Sequence, residues 1–370
     1  MEFKLQRVDF SNLPGWKDDN PLSLLPALER CRQHVVTVKP HRTGSLGISS
    51  ADLMPAYGAA LQVTPDAKGT RIFFEENFVP FRIERLDGKP GFVTAFYEPD
   101  VPVSATADDM FRFPFYRRPS DLVEVNDDNR PNSMDPYFAF GRLKQSGIEE
   151  YPDRRAIEQG YLAGQALEIA YAKSKADVFF AHVQGAARLV FPDGAVKRIT
   201  YAAKSGHTFS AIGKLLIERG KIDAATVSMQ TIRQWLDDHP DEADEVFWHN
   251  RSFIFFREAE VGDLRLGPVA AAKVALEPGR SLAVDRLIHT FGTPFFVSSS
   301  SLTSIDGGRP FQRLMLALDT GSAIVGPNRG DIFTGSGDEA GRLAGAVRNE
   351  AEFFIFIPRA AAARYGHGQG

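Results

Sequence analysis

The chain has 370 residues, 43% apolar and 24% charged, which is the composition of a globular protein with room for two domains. Its 43 Lys and Arg against 47 Asp and Glu give a formal charge of −4, which argues against a dedicated nucleic-acid binder. A single cysteine, Cys31, rules out an intrachain disulfide, and the fold must stand on its core. With 29 Phe, 32 Gly and 23 Pro, the composition predicts a mainly β protein with a few helices and many turns.

In chain order, MEFKLQRVDFSNLPGW shows no apolar leader and no cleavage site, and no run approaches the ~18 apolar residues of a membrane span. Leu24, Leu28 and Cys31 fall at helical spacing, and Cys31 reads as a small buried hydrophobe. Arg71–Glu75 and Val79–Ile83 read as strands, and Asp87-Gly88 as a hairpin signal before Gly91–Pro99. Phe96 and Tyr97 end that strand, where an aromatic ring can face a sugar or simply pack. The Pro-, Ser- and Asp-rich segment 100–109 reads as a linker, so a boundary is placed near residue 103. Residues 104–245 then form a second module, and 1–103 with 246–370 form the first.

Within the second module, Asp153 is the expected N-cap of a helix. Val178–Gly185 reads as a strand, and 187–191 pairs with 197–201 across Pro192-Asp193-Gly194. Ser228 is expected to start a helix through Leu236. After 246 the pattern returns to strands, including Gly279–Asp285 and Phe353–Ile357, and the tail Ala360–Gly370 reads as frayed.

Candidate chemistry concentrates in LALDTGSAIVGPNRGDIFTGSGDEAG, where Asp319, Asp331 and Asp338 lie among Gly, Ser and Thr. The apolar run Leu314–Leu318 leads into Asp319, and a carboxylate at the end of a buried run is costly unless bonded or used. Asp319 in Asp-Thr-Gly is equally readable as a turn brace, and Asp338 as a helix N-cap. Asp331 follows Gly330 and shares a strand face with Phe333, a setting that raises a carboxyl pKa by desolvation, and it is the functional candidate. The eight histidines show no metal-ligand spacing; His207 reads as a loop or substrate-contact residue, and His367 lies alone in the tail. Neither a G-x-S-x-G elbow, a Walker loop nor a dinucleotide fingerprint is found, so no metal, no cofactor and no nucleotide partner is expected.

These residues also carry a resemblance. LALDTGSAIVG…RGDIFTGSGDEAGRLAG resembles the three-aspartate domain of the lytic murein transglycosylase A family. So do LPGW near the start, GFVTAFYEP, HVQGAARLVFPDG, YAAKSGHTFSAIGK and GRSLAVD, from about Leu13 to Pro358. Where the family usually has a hydroxyl residue after Gln-Gly, this chain has Ala186. The resemblance implies a six-stranded double-psi β-barrel interrupted by a mostly β insert, with a groove between them for glycan. It implies Asp331 as a single acid/base, with Asp319 and Asp338 as the accompanying aspartates. Glycan contacts are expected from Tyr97, Gln184, Ser205 and Gly206. The implied activity is cleavage of the MurNAc–GlcNAc bond of peptidoglycan without water, by a monomer. The implied location is the periplasm or outer-membrane face of a Gram-negative bacterium, after export. Two other classes stay open: a non-catalytic peptidoglycan-binding barrel, and an aspartic protease. The protease needs two Asp-Thr-Gly aspartates, and this chain has one, so a homodimer would be required.

Overall fold

The computed structural model describes Glu2–Tyr365; the tail beyond, with His367, lies outside the described residues. The chain divides into two compact units, Met1–Tyr97 with Val261–Gly370, and Glu98–Glu260.

The first unit opens with strand β1 (Phe3–Arg7) and helices α1 (Leu24–Thr37), α2 (Ser50–Ala60) and α3 (Ala67–Asn77), followed by β2 (Phe78–Arg85) and β3 (Gly91–Glu98). In α1, Leu24, Leu28 and Cys31 are fully buried, as their spacing predicts, and burial pushes the Cys31 thiol up to about 12. Ser49 and Asp52 form a reciprocal capping box that starts α2. Arg71–Glu75, expected as a strand, lies inside α3. The Asp66 side chain accepts from Gly69 N, and Thr70, Phe73 and Phe74 bury one helical face. Ile72-Phe73-Phe74 is too short an apolar run to show a period, and it fits strand and helix alike.

The second unit contributes β4 (Asp100–Ser104), β5 (Phe113–Tyr116), β6 (Leu122–Glu124), β7 (Phe140–Lys144), β8 (Gly147–Glu149), the single turn α4 (Arg154–Ala156), β9 (Glu168–Ala172), α5 (Lys175–Gln184), β10 (Ala186–Val190), β11 (Val196–Lys204), α6 (Ile212–Glu218), α7 (Met229–Asp238), α8 (Pro240–His249) and β12 (Ile254–Glu258). Its main sheet runs β12-β11-β10-β4-β9-β5, beside a small sheet β6-β7-β8. Val103 pairs with Ala172 and Val101 with Leu189, so Asp100–Ser104 is a strand of this sheet and not a linker. β12 pairs with β11, which carries the second crossing to Glu260. The units therefore divide at Tyr97/Glu98 and Glu260/Val261 instead of near 103 and 245. Val178–Gly185 is not a strand: Ser174 caps α5, and Gly185 ends it in the left-handed region at φ 75°. The hairpin across Pro192-Asp193-Gly194 pairs Ala187 with Ile199, and Asp153 and Ser228 cap α4 and α7 as expected. Arg154 is fully buried. It donates to Asn250 O, Ser252 O and Glu158, and lies over the rings of Phe179 and Phe253.

The chain returns to the first unit with β13 (Ser281–Val284), β14 (Pro294–Ser299), β15 (Phe311–Asp319), β16 (Arg329–Ser336), α9 (Gly337–Gly345) and β17 (Arg348–Pro358). The strand order is β1-β2-β17-β14-β15-β13-β16-β3, and β3 pairs again with β17. Six strands, β17, β14, β15, β13, β16 and β3, thus close on themselves as the double-psi barrel. β13 and β15 are parallel, whereas β13 is antiparallel to β16. Closure leaves these strands no free edge, and both faces of β15 are covered: Leu314–Leu318 are all buried. Asp87-Gly88 makes a turn, but not a two-strand hairpin. β3 pairs with Arg348–Ala351 of β17 and β2 with Phe354–Pro358, so the two strands meet the same partner at different places. Arg280 ties the barrel to the N-terminal segment. It bonds Asp19 at 2.7 Å and Leu314 O at 2.8 Å, and Asp19 accepts from Leu314 N.

Gly91 sits at the closing seam, where an added Cβ would lie 2.5 Å from Ala351 O and 2.8 Å from Asn328 O. Backbone atoms cannot step aside as a side chain does. Gly91→Ala is expected to destabilise the protein by about 1–3 kcal/mol, measured by urea unfolding; a loss below about 0.3 kcal/mol would show that the seam is slack.

Candidate active site

Asp319 and Asp331 are brought together by one residue. Ala283 of β13 pairs with Asp319 of β15 on one side and with Asp331 of β16 on the other. Cross-strand partners point to the same face of a sheet, so both carboxyl groups flank the short Ala283 side chain. The register shifts at Ala283 on the β15 side. Such an irregularity re-aims side chains, and here it sits at the pair.

Each carboxyl has its own hydrogen bonds. Thr94 of β3 donates its hydroxyl to Asp331 Oδ1 in a short bond. The same Thr94 oxygen accepts from Arg329 Nη2 at 2.6 Å. The guanidinium occupies the oxygen as acceptor, which commits the hydroxyl proton to Asp331. Arg329 also donates to Gly330 O and Phe92 O, and its charge acts on Asp331 directly, favouring the ionised form. Asp319 Oδ1 accepts from Ala271 N at 3.2 Å.

Both aspartates hold their protons more tightly than an ordinary carboxyl. Burial pushes Asp319 up to about 6; the Thr320 and Ala271 N–H groups oppose this, the nearby Asp331 adds to it, and Lys273 opposes it. Burial also raises Asp331, against the Thr94 hydrogen bond and the Arg329 charge. The Asp331 charge disfavours ionisation of Asp319, so the Asp319 titration depends on the state of its neighbour.

The remaining expected residues are placed differently. Asp338 is not the N-cap of α9; Ser336 holds that position, and Asp338 is an exposed residue of the first turn, where its charge suits the helix dipole. Tyr97 is half-buried with its ring against Gly341 of α9, whose added Cβ would lie 2.7 Å from Tyr97 Cε2. In the second unit, Gln184 is the last residue of α5 and half-buried. Ser205 is fully buried and its Oγ accepts from Phe253 N at 3.1 Å, so it offers no surface hydroxyl to a glycan. Gly206 is buried at φ 94°, against Phe140 O and the Phe138 ring, and is there for close packing. His207 Nε2 bonds Tyr151 O at 2.6 Å in the interior, so it too is structural. Thr94 and Arg329 were not singled out from the sequence. The available signal was Thr94 as the one polar side chain within Gly91–Phe96. In the barrel unit, a cavity of about 730 Å³ near Arg82, Lys89, Ser299 and Gln312 includes neither aspartate in its lining.

A folded-state pKa above the unfolded one contributes stability that is complete below about 4 and lost as pH rises through about 6. Asp319→Asn removes that liability. Its stability relative to the parent is expected to rise by on the order of 1–3 kcal/mol between pH 4 and pH 7.5, followed by thermal unfolding. An unchanged difference across that range would mean that Asp319 titrates normally.

Comparison with known proteins fits this arrangement. The family model for the MltA specific insert domain matches residues 92–257, and that for the 3D domain matches 280–357. Membrane-bound lytic murein transglycosylase A of Escherichia coli (strain K12) is 33% identical over 256 residues, 68% of this chain. The match spans 61% of that relative's own length. The solved membrane-bound lytic murein transglycosylase from Agrobacterium tumefaciens is 61% identical with a TM-score of 0.93, over 98% of this chain and 99% of its own. E. coli MltA, solved with bound chitohexaose, is 26% identical with a TM-score of 0.69, over 97% of this chain and 95% of its own. Sequence, domain matches and barrel topology agree, and the chain belongs to the membrane-bound lytic murein transglycosylase A family.

Proposed function

We propose that this protein is a lytic transglycosylase that cleaves the β-1,4 bond between MurNAc and GlcNAc in peptidoglycan and leaves 1,6-anhydroMurNAc ends. The observation that carries this is the pair of half-buried carboxyls on the two strands beside Ala283, both raised above the ordinary carboxyl range and one of them held by Thr94. The names of the relatives and the chitohexaose in the E. coli structure support the same substrate class.

Asp331 is the acid/base. Thr94 engages Oδ1, leaving Oδ2 as the oxygen that carries the transferable proton. That proton passes to the glycosidic oxygen, the bond to C1 breaks, and positive charge develops at C1 of MurNAc. The Asp331 carboxylate then takes the proton of the C6 hydroxyl of the same sugar, and O6 closes on C1. The acid is regenerated and no water is consumed. One carboxyl suffices because the nucleophile is part of the substrate, so proximity supplies much of the rate. Ordinary glycosidases need a second carboxyl to activate water or attack C1. Asp319 supplies negative charge beside Asp331, which strengthens the hold on the proton and stabilises the cationic centre. Tyr97 and Gln184 remain the proposed glycan contacts, and the site of action is the periplasmic side of the cell envelope.

Digestion of sacculi followed by mass spectrometry tests the reaction: soluble products should be lighter by one water than hydrolysis would give. Products of hydrolytic mass, or binding without release, would overturn it. Asp331→Asn should lower the rate by ~10²–10⁴-fold with the fold intact by circular dichroism; Asp319→Asn should cost less. Thr94→Val should lower kcat with KM little changed, since it touches the acid and not the glycan. A larger loss for Asp319→Asn than for Asp331→Asn would exchange their roles.

A further inference from the structure

The cavity of about 730 Å³ in the barrel unit is lined by side chains whose hydrogen-bonding capacity is unused. β14 is buried throughout, and its apolar run ends in Ser298-Ser299. Ser298 pairs with Gln312 of β15 on one side and with Glu352 of β17 on the other. Cross-strand partners share a face, so Gln312, Ser298 and Glu352 form one polar row across three strands. Glu352 is taken up by Arg82 of β2 at 2.7 Å. The side chains of Ser298 and Gln312 make no hydrogen bond to another described residue, and neither does that of Asn328, just before β16. Ser298 is 6% exposed and Asn328 5%. A buried hydroxyl or carboxamide without a partner is costly, and native proteins rarely leave one so. All three side chains line the cavity, where a bound molecule can supply the missing partners.

The lining also restricts what that molecule is. It holds three basic residues, Arg82, Arg85 and Lys89, and three acidic ones, Glu84, Glu350 and Glu352. Arg82 is shared between Glu84 and Glu352, at 3.5 and 2.7 Å, and Arg85 pairs with Asp87. Lys89 and Glu350 are exposed and form no ion pair with a described residue, which leaves one charge of each sign for a ligand. A balanced lining does not suit a polyanion or a phosphate, which gather cations. None of the described lining residues is aromatic, so a sugar ring has nothing to stack on. Serine, asparagine and glutamine offer both donors and acceptors, which successive peptide groups require. The volume falls within the range of about 300–1,000 Å³ usual for small-ligand sites.

We propose that this cavity binds a zwitterionic peptide: its main-chain amides meet Ser298, Gln312 and Asn328, a carboxylate meets Lys89, and an ammonium meets Glu350. Neither Asp319 nor Asp331 lines the site, yet two strands tie it to them. Asn328 lies three residues before Asp331, and Gly91, also in the lining, three residues before Thr94. At about 3.3 Å per residue that is roughly 10 Å of chain. A peptide carried on the glycan and a free peptide share this chemistry, and only the choice between these sources rests on the proposed function.

The test titrates peptides released from sacculi by an amidase into the full chain, followed by calorimetry. The parent should bind them, and acetylating the peptide amines should weaken binding about threefold. Ser298→Ala should weaken it about three- to tenfold, and Lys89→Glu and Glu350→Lys about fivefold each. Lys68→Glu on α3, outside the lining, should bind as the parent does. Glu350→Gln should no longer distinguish acetylated from free peptide. No binding at millimolar peptide, or binding that all three cavity variants leave unchanged, overturns the proposal. The KM for intact sacculi is then compared with that for glycan stripped of peptide. A lower KM for intact sacculi in the parent, lost in Lys89→Glu, identifies the glycan-borne peptide as the ligand; equal KM values with binding retained identify the free one. If sacculi are not cleaved while the peptide binds, the proposed function fails and the cavity assignment stands.

Discussion

The chemistry depends on partly desolvating two carboxyl groups on the strands either side of one small side chain. Ala283 pairs with Asp319 on β15 and with Asp331 on β16. Strand β13 lies between a parallel and an antiparallel neighbour inside the closed sheet, and all four of its residues are buried. Closure removes water from the strands, and the loss of water lifts both carboxyls above their ordinary range. A larger residue at Ala283 would occupy the space the carboxyls flank.

The cost of that burial is met locally. Asp319 rests on main-chain N–H groups, which favour its charged form, and Asp331 rests on Thr94, whose hydroxyl is directed by Arg329. Keeping Arg329 one hydrogen bond away matters. A direct ion pair would hold Asp331 ionised and remove the proton that an acid must deliver. The guanidinium instead orients the threonine, and its charge opposes the desolvation of Asp331 without overcoming it.

The two units solve different problems. In the barrel, Asp19 and Arg280 join the N-terminal segment to β15 and the start of β13. In the second unit, Arg154 is buried among carbonyls and aromatic rings and acts as a polar strut between α4 and the segment before β12. Ser205, Gly206 and His207 serve that interior as well, which is why a conspicuous Ser-Gly-His string does not reach solvent.

Much of this was legible in the chain. The three-aspartate stretch, the mainly β composition, the caps at Asp153 and Ser228, the hairpin at Pro192-Asp193-Gly194 and the inert Cys31 follow from local chemistry, because caps, turns and short-range periodicity act over a few residues. Other features depended on partners distant in sequence. Short apolar runs such as Arg71–Glu75 and Val178–Gly185 fit helix and strand alike until packing decides. Asp100–Ser104 looked like a linker because its strand partners lie far along the chain. The roles of Thr94 and Ala283 were invisible for the same reason: each acquires its function from residues that only strand register brings beside it. Sequence alone determined which carboxyl groups were available; the tertiary structure decided which two meet, because register across a closed sheet is a property of the whole barrel and not of any segment.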